Sequence, residues 1–164
     1  MAKTETITLA KLPQNIAELK AMPQAQLTNP FEVSALVVAV LCRYEQSVDE
    51  CIEMLNYLKG PQPLVEYDKQ FLKDRLVGKY YVPRSYFEGT SPQNNYQPSQ
   101  PFTVKVFDNS YSYNEAGYVT LWLNSSGADS ARSIQLRQKG NQWFLWKNLL
   151  LPDIRKPTAD DPWA

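Results

Sequence analysis

The 164-residue chain balances 17 basic against 17 acidic side chains and contains no histidine. Hydrophobic residues make up 43% of it and charged residues 21%, a globular composition that excludes a largely disordered chain. A protein held on nucleic acid or on an anionic membrane by charge carries a basic surplus, and this sequence has none. We therefore predict neither a nucleic-acid partner nor a membrane partner.

The chain length fits one domain, and no change of composition divides it. We predict a single domain over residues 1–164, with a peripheral N-terminal segment at 1–28 and an extended tail at 152–164. The start of the chain lacks the apolar core of a signal peptide. Two cysteines, Cys42 and Cys51, are too few for a disulfide framework and favour packing positions between helices. These features predict a cytoplasmic location.

The first half of the chain has helical patterns. A short helix is predicted at 12–22. Asn29 then stands before Pro30, an N-cap followed by proline at the first helical position. The residues that follow, ALVVAVLC, are apolar on all sides, so this helix should be the most buried element.

Two further helices are predicted downstream. Ser47 caps the first of them, which Gly60-Pro61 closes. The second follows at 64–77, with acidic residues early and basic residues late, as the helix dipole favours. Its predicted buried stripe consists of Leu64, Tyr67, Phe71, Leu72 and Leu76.

After Gly78 the hydrophobic period changes from helical to alternating. Residues 79–101 hold prolines and turn formers and are predicted to form a long loop. Alternation of apolar and polar residues predicts strands at 102–106, 119–123, 134–137 and 142–147. Their short connections imply antiparallel pairing. The predicted fold is α+β: three to four N-terminal helices packed on a C-terminal antiparallel sheet of about four strands.

The sequence carries no recognisable catalytic motif. Without histidine, the usual general base, the nucleophile pairs that depend on it and the commonest transition-metal ligand are all excluded. The few glycines form no phosphate-binding loop. We predict no catalytic residue, no metal and no cofactor, which favours a protein that is not an enzyme.

Aromatic residues give the strongest indication of a binding site. Seven of the ten tyrosines fall between Tyr80 and Tyr118, among small polar residues, a composition typical of recognition surfaces. The candidate binding residues are Tyr86, Phe87, Tyr96, Tyr111 and Tyr113. A structural alternative remains open, in which these rings cover the end of the sheet and hydrogen-bond locally.

Three consecutive helices also allow a helix-turn-helix. The helix at 64–77 would then present Lys69, Lys73 and Arg75 to DNA. Glu66, Asp68 and Asp74 lie on the same helix and would repel phosphate, which makes this the weakest of the functional hypotheses.

Three segments resemble a small family of bacterial proteins of unknown function, of Firmicutes type: GNQWFLWKNLLLPDIRKPTADDPWA, DKQFLKDRLVGK and SSGADSAR. The resemblance runs from Pro30 to the C-terminus and implies no activity. The order of helices before a curved sheet is also similar, more loosely, to the cone-shaped fold of nuclear-transport-factor-like proteins. That likeness implies an alternative function, a small-ligand pocket between sheet and helices, with or without hydrolytic chemistry.

The leading functional hypothesis from the sequence is a non-enzymatic module that binds a protein or peptide partner through its tyrosine-rich loops.

Overall fold

A five-stranded antiparallel sheet, with strands in the order in which they occur along the chain, forms one layer of the molecule. In this computed structural model, which describes residues 2–163, the strands are β1 (Thr4–Leu9), β2 (Phe102–Phe107), β3 (Tyr118–Leu123), β4 (Arg132–Lys139) and β5 (Gln142–Asn148). Strands β2 to β5 form a meander, whereas β1 reaches β2 only after the whole helical layer has intervened.

The structure has four α-helices: α1 (Ile16–Ala21), α2 (Pro30–Leu41), α3 (Val48–Lys59) and α4 (Glu66–Leu76). Of these, α2 and α3 pack against the strands of the sheet. The starts of α2 and α3 are fixed by the caps that the sequence indicates. The Asn29 side-chain oxygen accepts from the Phe31 N–H at 2.9 Å, and the Ser47 hydroxyl accepts from the Glu50 N–H at 3.2 Å. The predicted α+β class is thus confirmed. The structure has four α-helices, where three to four were predicted, and five strands, where about four were predicted.

Helix α2 is the centre of the core. Every residue from Val33 to Leu41 is buried, and the helix contacts β1, β2, β3 and β5. Its all-apolar sequence is explained by this position, because it is covered by the sheet on one side and by α3 on another. The prediction that α2 is the most buried element is confirmed.

The N-terminal segment differs from the peripheral role expected for residues 1–28. Strand β1 pairs with β2 along its full length, from Thr4 opposite Phe107 to Leu9 opposite Phe102. Ile7 and Leu9 point into the core, where Leu9 is fully buried. Alternating threonines face the other side, so this short segment supplies a fifth strand and one edge of the sheet.

The tail predicted to be extended is held against the body over its first half. Arg132 donates to the carbonyl oxygens of Pro152 and Asp153, at 3.4 and 3.1 Å, and Ile154 is buried. Exposure rises towards the end of the tail, where Trp163 is 93% exposed. Within the described tail, Ile154 and Pro157 therefore pack against the body, and the end at 162–163 is exposed.

Helix α4 lies at the rim of the helical layer. Of its predicted buried stripe, Leu72 and Leu76 are buried and Phe71 is half-buried, but Tyr67 is 79% exposed. The prediction that Tyr67 is buried is wrong, because only the later turns of α4, with Leu72 and Leu76, pack on the core. The side of the first turn that carries Tyr67 faces solvent.

No helix within residues 2–163 is long and apolar enough to cross a membrane.

Candidate functional site

Three of the five candidate binding residues lie in the interior. Tyr86, Phe87 and Tyr96 are exposed by 3%, 2% and 0%, so none of these rings can contact a partner in the folded protein. The segment predicted as a long loop folds instead into compact turns, with short 3₁₀ helices at Pro83–Tyr86 and Pro92–Asn94. Its aromatic side chains therefore complete the core.

Hydrogen bonds explain why these tyrosines tolerate burial. The Tyr86 hydroxyl donates to the carbonyl oxygen of Leu150, and the Tyr96 hydroxyl donates to that of Arg155 at 2.6 Å. Tyr96 also stacks on Tyr81, with ring centroids 5.4 Å apart. Tyr86 thus fixes the segment that follows β5, and Tyr96 ties the C-terminal tail to the body. These are structural roles, and they correct the recognition role expected for both tyrosines.

The other two candidates are on the surface. Tyr111 and Tyr113 are 70% and 60% exposed and share the loop between β2 and β3. The Tyr113 hydroxyl donates to Asp108 Oδ2 at 2.7 Å, while the Lys3 backbone N–H donates to Asp108 Oδ1 at 2.6 Å. The buried Asp108 carboxylate thus anchors both this loop and the start of β1. A binding role for Tyr111 and Tyr113 stays a prediction.

These hydrogen bonds shift two pKa values in opposite directions. Burial alone would raise the pKa of Asp108, but the hydrogen bonds from Tyr113 and Lys3 and the positive charge of Lys3 lower it below its ordinary value. Burial, together with the hydrogen bond to Asp108, raises the pKa of Tyr113 to about 12. The pair is therefore an ionised carboxylate that accepts from a neutral phenol at neutral pH.

Replacing Asp108 by alanine should lower the free energy of unfolding by about 1–3 kcal/mol at neutral pH, because two donors lose a charged acceptor. Since folding lowers the pKa of Asp108, its contribution is present above the unfolded pKa of about 3.9 and is lost as the pH falls through the folded pKa. The free energy of unfolding, measured with urea at several pH values, should fall less on acidification in Asp108→Ala than in the unmodified protein. Asp129→Ala is the control, because this carboxylate is 93% exposed and its ion pair is with the exposed Arg155. An equal loss in both variants would contradict the assignment.

The two cysteines are free; Cys51 is buried and Cys42 is half-buried. Burial raises the pKa of both Cys42 and Cys51 to about 12, so neither is a thiolate at neutral pH. A buried neutral thiol is a poor nucleophile and a poor metal ligand. Within residues 2–163, no group of three or more cysteine or carboxylate side chains is placed to hold a metal ion.

Strand β5 forms one edge of the sheet, and the outer side of this edge is largely unpaired, which was not predicted from the sequence. At the start of the strand, the Trp143 N–H donates to the Leu27 carbonyl oxygen at 2.7 Å. Beyond that point, no backbone hydrogen bond within residues 2–163 joins β5 to any element except β4. Residues Leu145–Asn148 therefore lie at the edge of the sheet, paired with β4 on one side and with no strand on the other.

A bulge interrupts the pairing on the inner side of this edge. Gln135 faces Lys147 and Leu136 faces Leu145, which leaves Trp146 as an extra residue on β5. Such a bulge increases the local twist and changes the direction in which its side chain points. Trp146 is half-buried and lies at the surface beside the open edge.

An open groove runs between this edge and α4; we call it the edge groove. Its first part, about 240 Å³, has one wall from α3 and α4 and the other from Leu145–Leu149. Its apolar lining consists of Leu55, Leu64, Phe71, Leu72, Trp146 and Leu149. A second part of about 300 Å³ adjoins it, because both contain Lys59, Leu145 and Trp146. Tyr67, on the α4 side, and Leu149, 53% exposed, place large apolar side chains in solvent at the groove.

Fold and surface together define an α+β domain with an open apolar groove beside a free strand edge. The chain belongs to a family whose description is a domain of unknown function (DUF6935), and the family model matches residues 11–158. Membership of an uncharacterised family, expected from the resemblance, is confirmed. No curated protein and no solved structure matches the chain. The looser likeness to the cone-shaped fold stays a prediction.

Proposed function

We propose that this protein is a non-enzymatic interaction module that binds an extended segment of a partner protein in the edge groove. The segment pairs with the open side of β5 and places an apolar side chain between β5 and α4. The proposal keeps the class of function expected from the sequence and moves the contact surface from the tyrosine-rich loops to the edge groove.

The observation that carries this proposal is the juxtaposition of an unpaired strand edge with an apolar groove. Peptide-binding domains that add a strand to a sheet use backbone hydrogen bonds for affinity and side-chain pockets for specificity. An unpaired backbone edge and an apolar pocket are both present along Leu145–Leu149. The first part of the groove, about 240 Å³, is enough for one large apolar side chain.

The exposed apolar side chains support the same function. Tyr67 and Leu149 contribute little to folding because most of their surface is in water. Exposed groups of this size next to a groove are typical of contact surfaces, where a partner's apolar side chain removes them from solvent.

The test uses fluorescently labelled extended peptides, each with a single central Leu, Phe or Trp among serine and threonine residues, measured by fluorescence anisotropy. We expect at least one anchor to bind and N-methylation of alternate peptide amides to abolish binding, because it removes the hydrogen bonds to β5. The double variant Tyr67→Ser/Leu149→Ser should weaken binding about tenfold or more, equal to at least about 1.4 kcal/mol.

The matched control is Tyr111→Ser/Tyr113→Ser, which removes two exposed tyrosines from the β2–β3 loop. This control should bind the peptides as the unmodified protein does. Loss of binding in the control, with the groove variant unaffected, would return the contact surface to the tyrosine-rich loop. Failure of every peptide to bind would contradict the proposal as a whole.

The proposal includes a cytoplasmic location. Its support is the pair of free, neutral thiols of Cys42 and Cys51, which suits a compartment where cysteines stay reduced.

A further inference from the structure

The edge groove contains an arginine held in place by two aromatic rings. The Arg137 guanidinium carbon lies 4.7 Å from the centre of the Trp146 ring and 5.3 Å from that of the Tyr118 ring. The two rings themselves meet edge to face, with centroids 5.9 Å apart. Arg137 is nonetheless exposed, so its planar donor groups are oriented but still accessible to a ligand.

This guanidinium has no acidic partner in the described part of the chain. Across residues 2–163, the salt bridges do not include Arg137, and its side chain makes no hydrogen bond. The other arginine of strand β4 behaves differently, since Arg132 donates to carbonyl oxygens at both ends of its guanidinium. Arg137 is therefore an oriented cation whose donors are free.

Most of the charged side chains that line the edge groove are cations. Although the whole chain is neutral, the cations that line the edge groove are Lys59, Arg137, Lys139 and Lys147. The groove's one carboxylate is that of Asp68, and its Oδ2 atom already accepts from the Val65 N–H at 3.1 Å. The groove is thus locally basic, which attracts acidic ligands and repels basic ones.

We infer that the segment bound in the edge groove is acidic, and that Arg137 is the residue that binds an Asp or Glu side chain of that segment. This inference rests on the proposed function, because it specifies the partner of the same groove. A planar guanidinium binds a carboxylate through two parallel hydrogen bonds, and its stacking on Trp146 and Tyr118 removes part of the ordering cost. The occupant is an extended protein segment with an apolar anchor and an acidic residue near it.

Single-stranded nucleic acid also binds surfaces that combine cations with aromatic rings. The structure favours the acidic protein segment for two reasons. The free edge of β5 offers backbone pairing, which a nucleic acid cannot use. The rings of Trp146 and Tyr118 are already stacked on Arg137, so they are not open platforms for bases.

The experiment compares peptides with one fixed anchor whose flanking residues are Asp and Glu, or their uncharged isosteres Asn and Gln, at low and high salt. We expect the acidic peptide to bind about tenfold or more tightly at low salt, with the difference shrinking as salt screens the charges. Arg137→Gln should remove most of this preference, and Arg137→Lys should restore only part of it, because lysine cannot form the two-bond contact. Arg155→Gln, at an exposed arginine outside the groove, is the matched control and should leave the preference intact.

Thermal unfolding of each variant shows whether Arg137→Gln is folded; if it is not, Lys139→Gln/Lys147→Gln supplies the same comparison without disturbing the stacked rings. Equal binding of the acidic and amide peptides would overturn the inference, while binding that still depends on Tyr67 and Leu149 would leave the proposed function in place. If no peptide binds at all, both fail. Tighter binding of single-stranded oligouridine than of the acidic peptide, lost in Arg137→Gln, would also overturn the inference.

Discussion

Val37→Asp is expected to abolish soluble expression. Val37 is fully buried at the centre of α2, and among residues 2–163 the buried core contains no lysine or arginine that could pair with a new carboxylate. An unpaired buried charge costs several kcal/mol, which is of the order of the whole stability of a domain, roughly 5–15 kcal/mol. The measurement is the soluble fraction after expression, followed by chemical unfolding of any soluble protein.

The control for this prediction introduces the same side chain at an exposed helical position. Val48 is 46% exposed at the start of α3, where a carboxylate interacts favourably with the helix dipole. Val48→Asp should be soluble and unfold cooperatively. A Val37→Asp protein that behaves in the same way would show that α2 does not hold the core together.

Tyr96→Ala should lower the free energy of unfolding by about 3–5 kcal/mol, the range for truncating a buried aromatic side chain. The variant loses the stacking on Tyr81 and the hydrogen bond to the Arg155 carbonyl, and leaves a cavity against Gly127. Because that hydrogen bond secures the C-terminal tail, proteolysis should also cleave the tail faster. Urea unfolding and limited proteolysis measure the two effects.

Tyr111→Ala is the matched control, since it truncates the same side chain where it is 70% exposed. Its free energy of unfolding should change by no more than about 0.5 kcal/mol, as for most surface substitutions. If Tyr96→Ala and Tyr111→Ala lowered the free energy of unfolding by comparable amounts, burial would not determine how much these tyrosines contribute to stability.

Elements with local signals could be predicted from the sequence. The caps at Asn29 and Ser47 need only a few neighbouring residues, and both lie at helix starts in the structure. The alternation that predicted four strands at the C-terminal end corresponds to β2–β5, and the turn at Lys139-Gly140-Asn141 joins β4 to β5. Short-range chemistry determines these features, so a single sequence contains enough to find them.

Strand β1 could not be predicted in the same way. Only two of its six residues, Ile7 and Leu9, are buried. Its partner β2 comes more than 90 residues later in the sequence, after all four helices. No turn signal links the two strands. Pairing with a distant segment is a tertiary event, and the local pattern around Thr4–Leu9 does not record it.

The burial of Tyr86 and Tyr96 was not predicted for a related reason. Tyrosines among Asn, Ser and Pro have the composition of a surface loop, yet the hydroxyls of Tyr86 and Tyr96 find acceptors in distant residues after β5, Leu150 and Arg155. The edge groove was missed because its two walls come from α4 and β5, which are far apart in sequence. The excess of aromatic residues on β5 was visible in the sequence, whereas the absence of a neighbouring strand was not.

The separation of β1 from β2 along the chain has a consequence for how the protein is made. Strand β1 is synthesised before β2, and it cannot find its partner until all four helices and the segment up to Phe107 have been synthesised. Until β1 pairs with it, β2 is the second edge of the four-stranded meander and stays open to pairing with other chains. Closure by β1 must overcome the entropy of a very long loop, so we expect it to be the last and slowest step of assembly. A chain from which β1 has been clipped would therefore aggregate through β2.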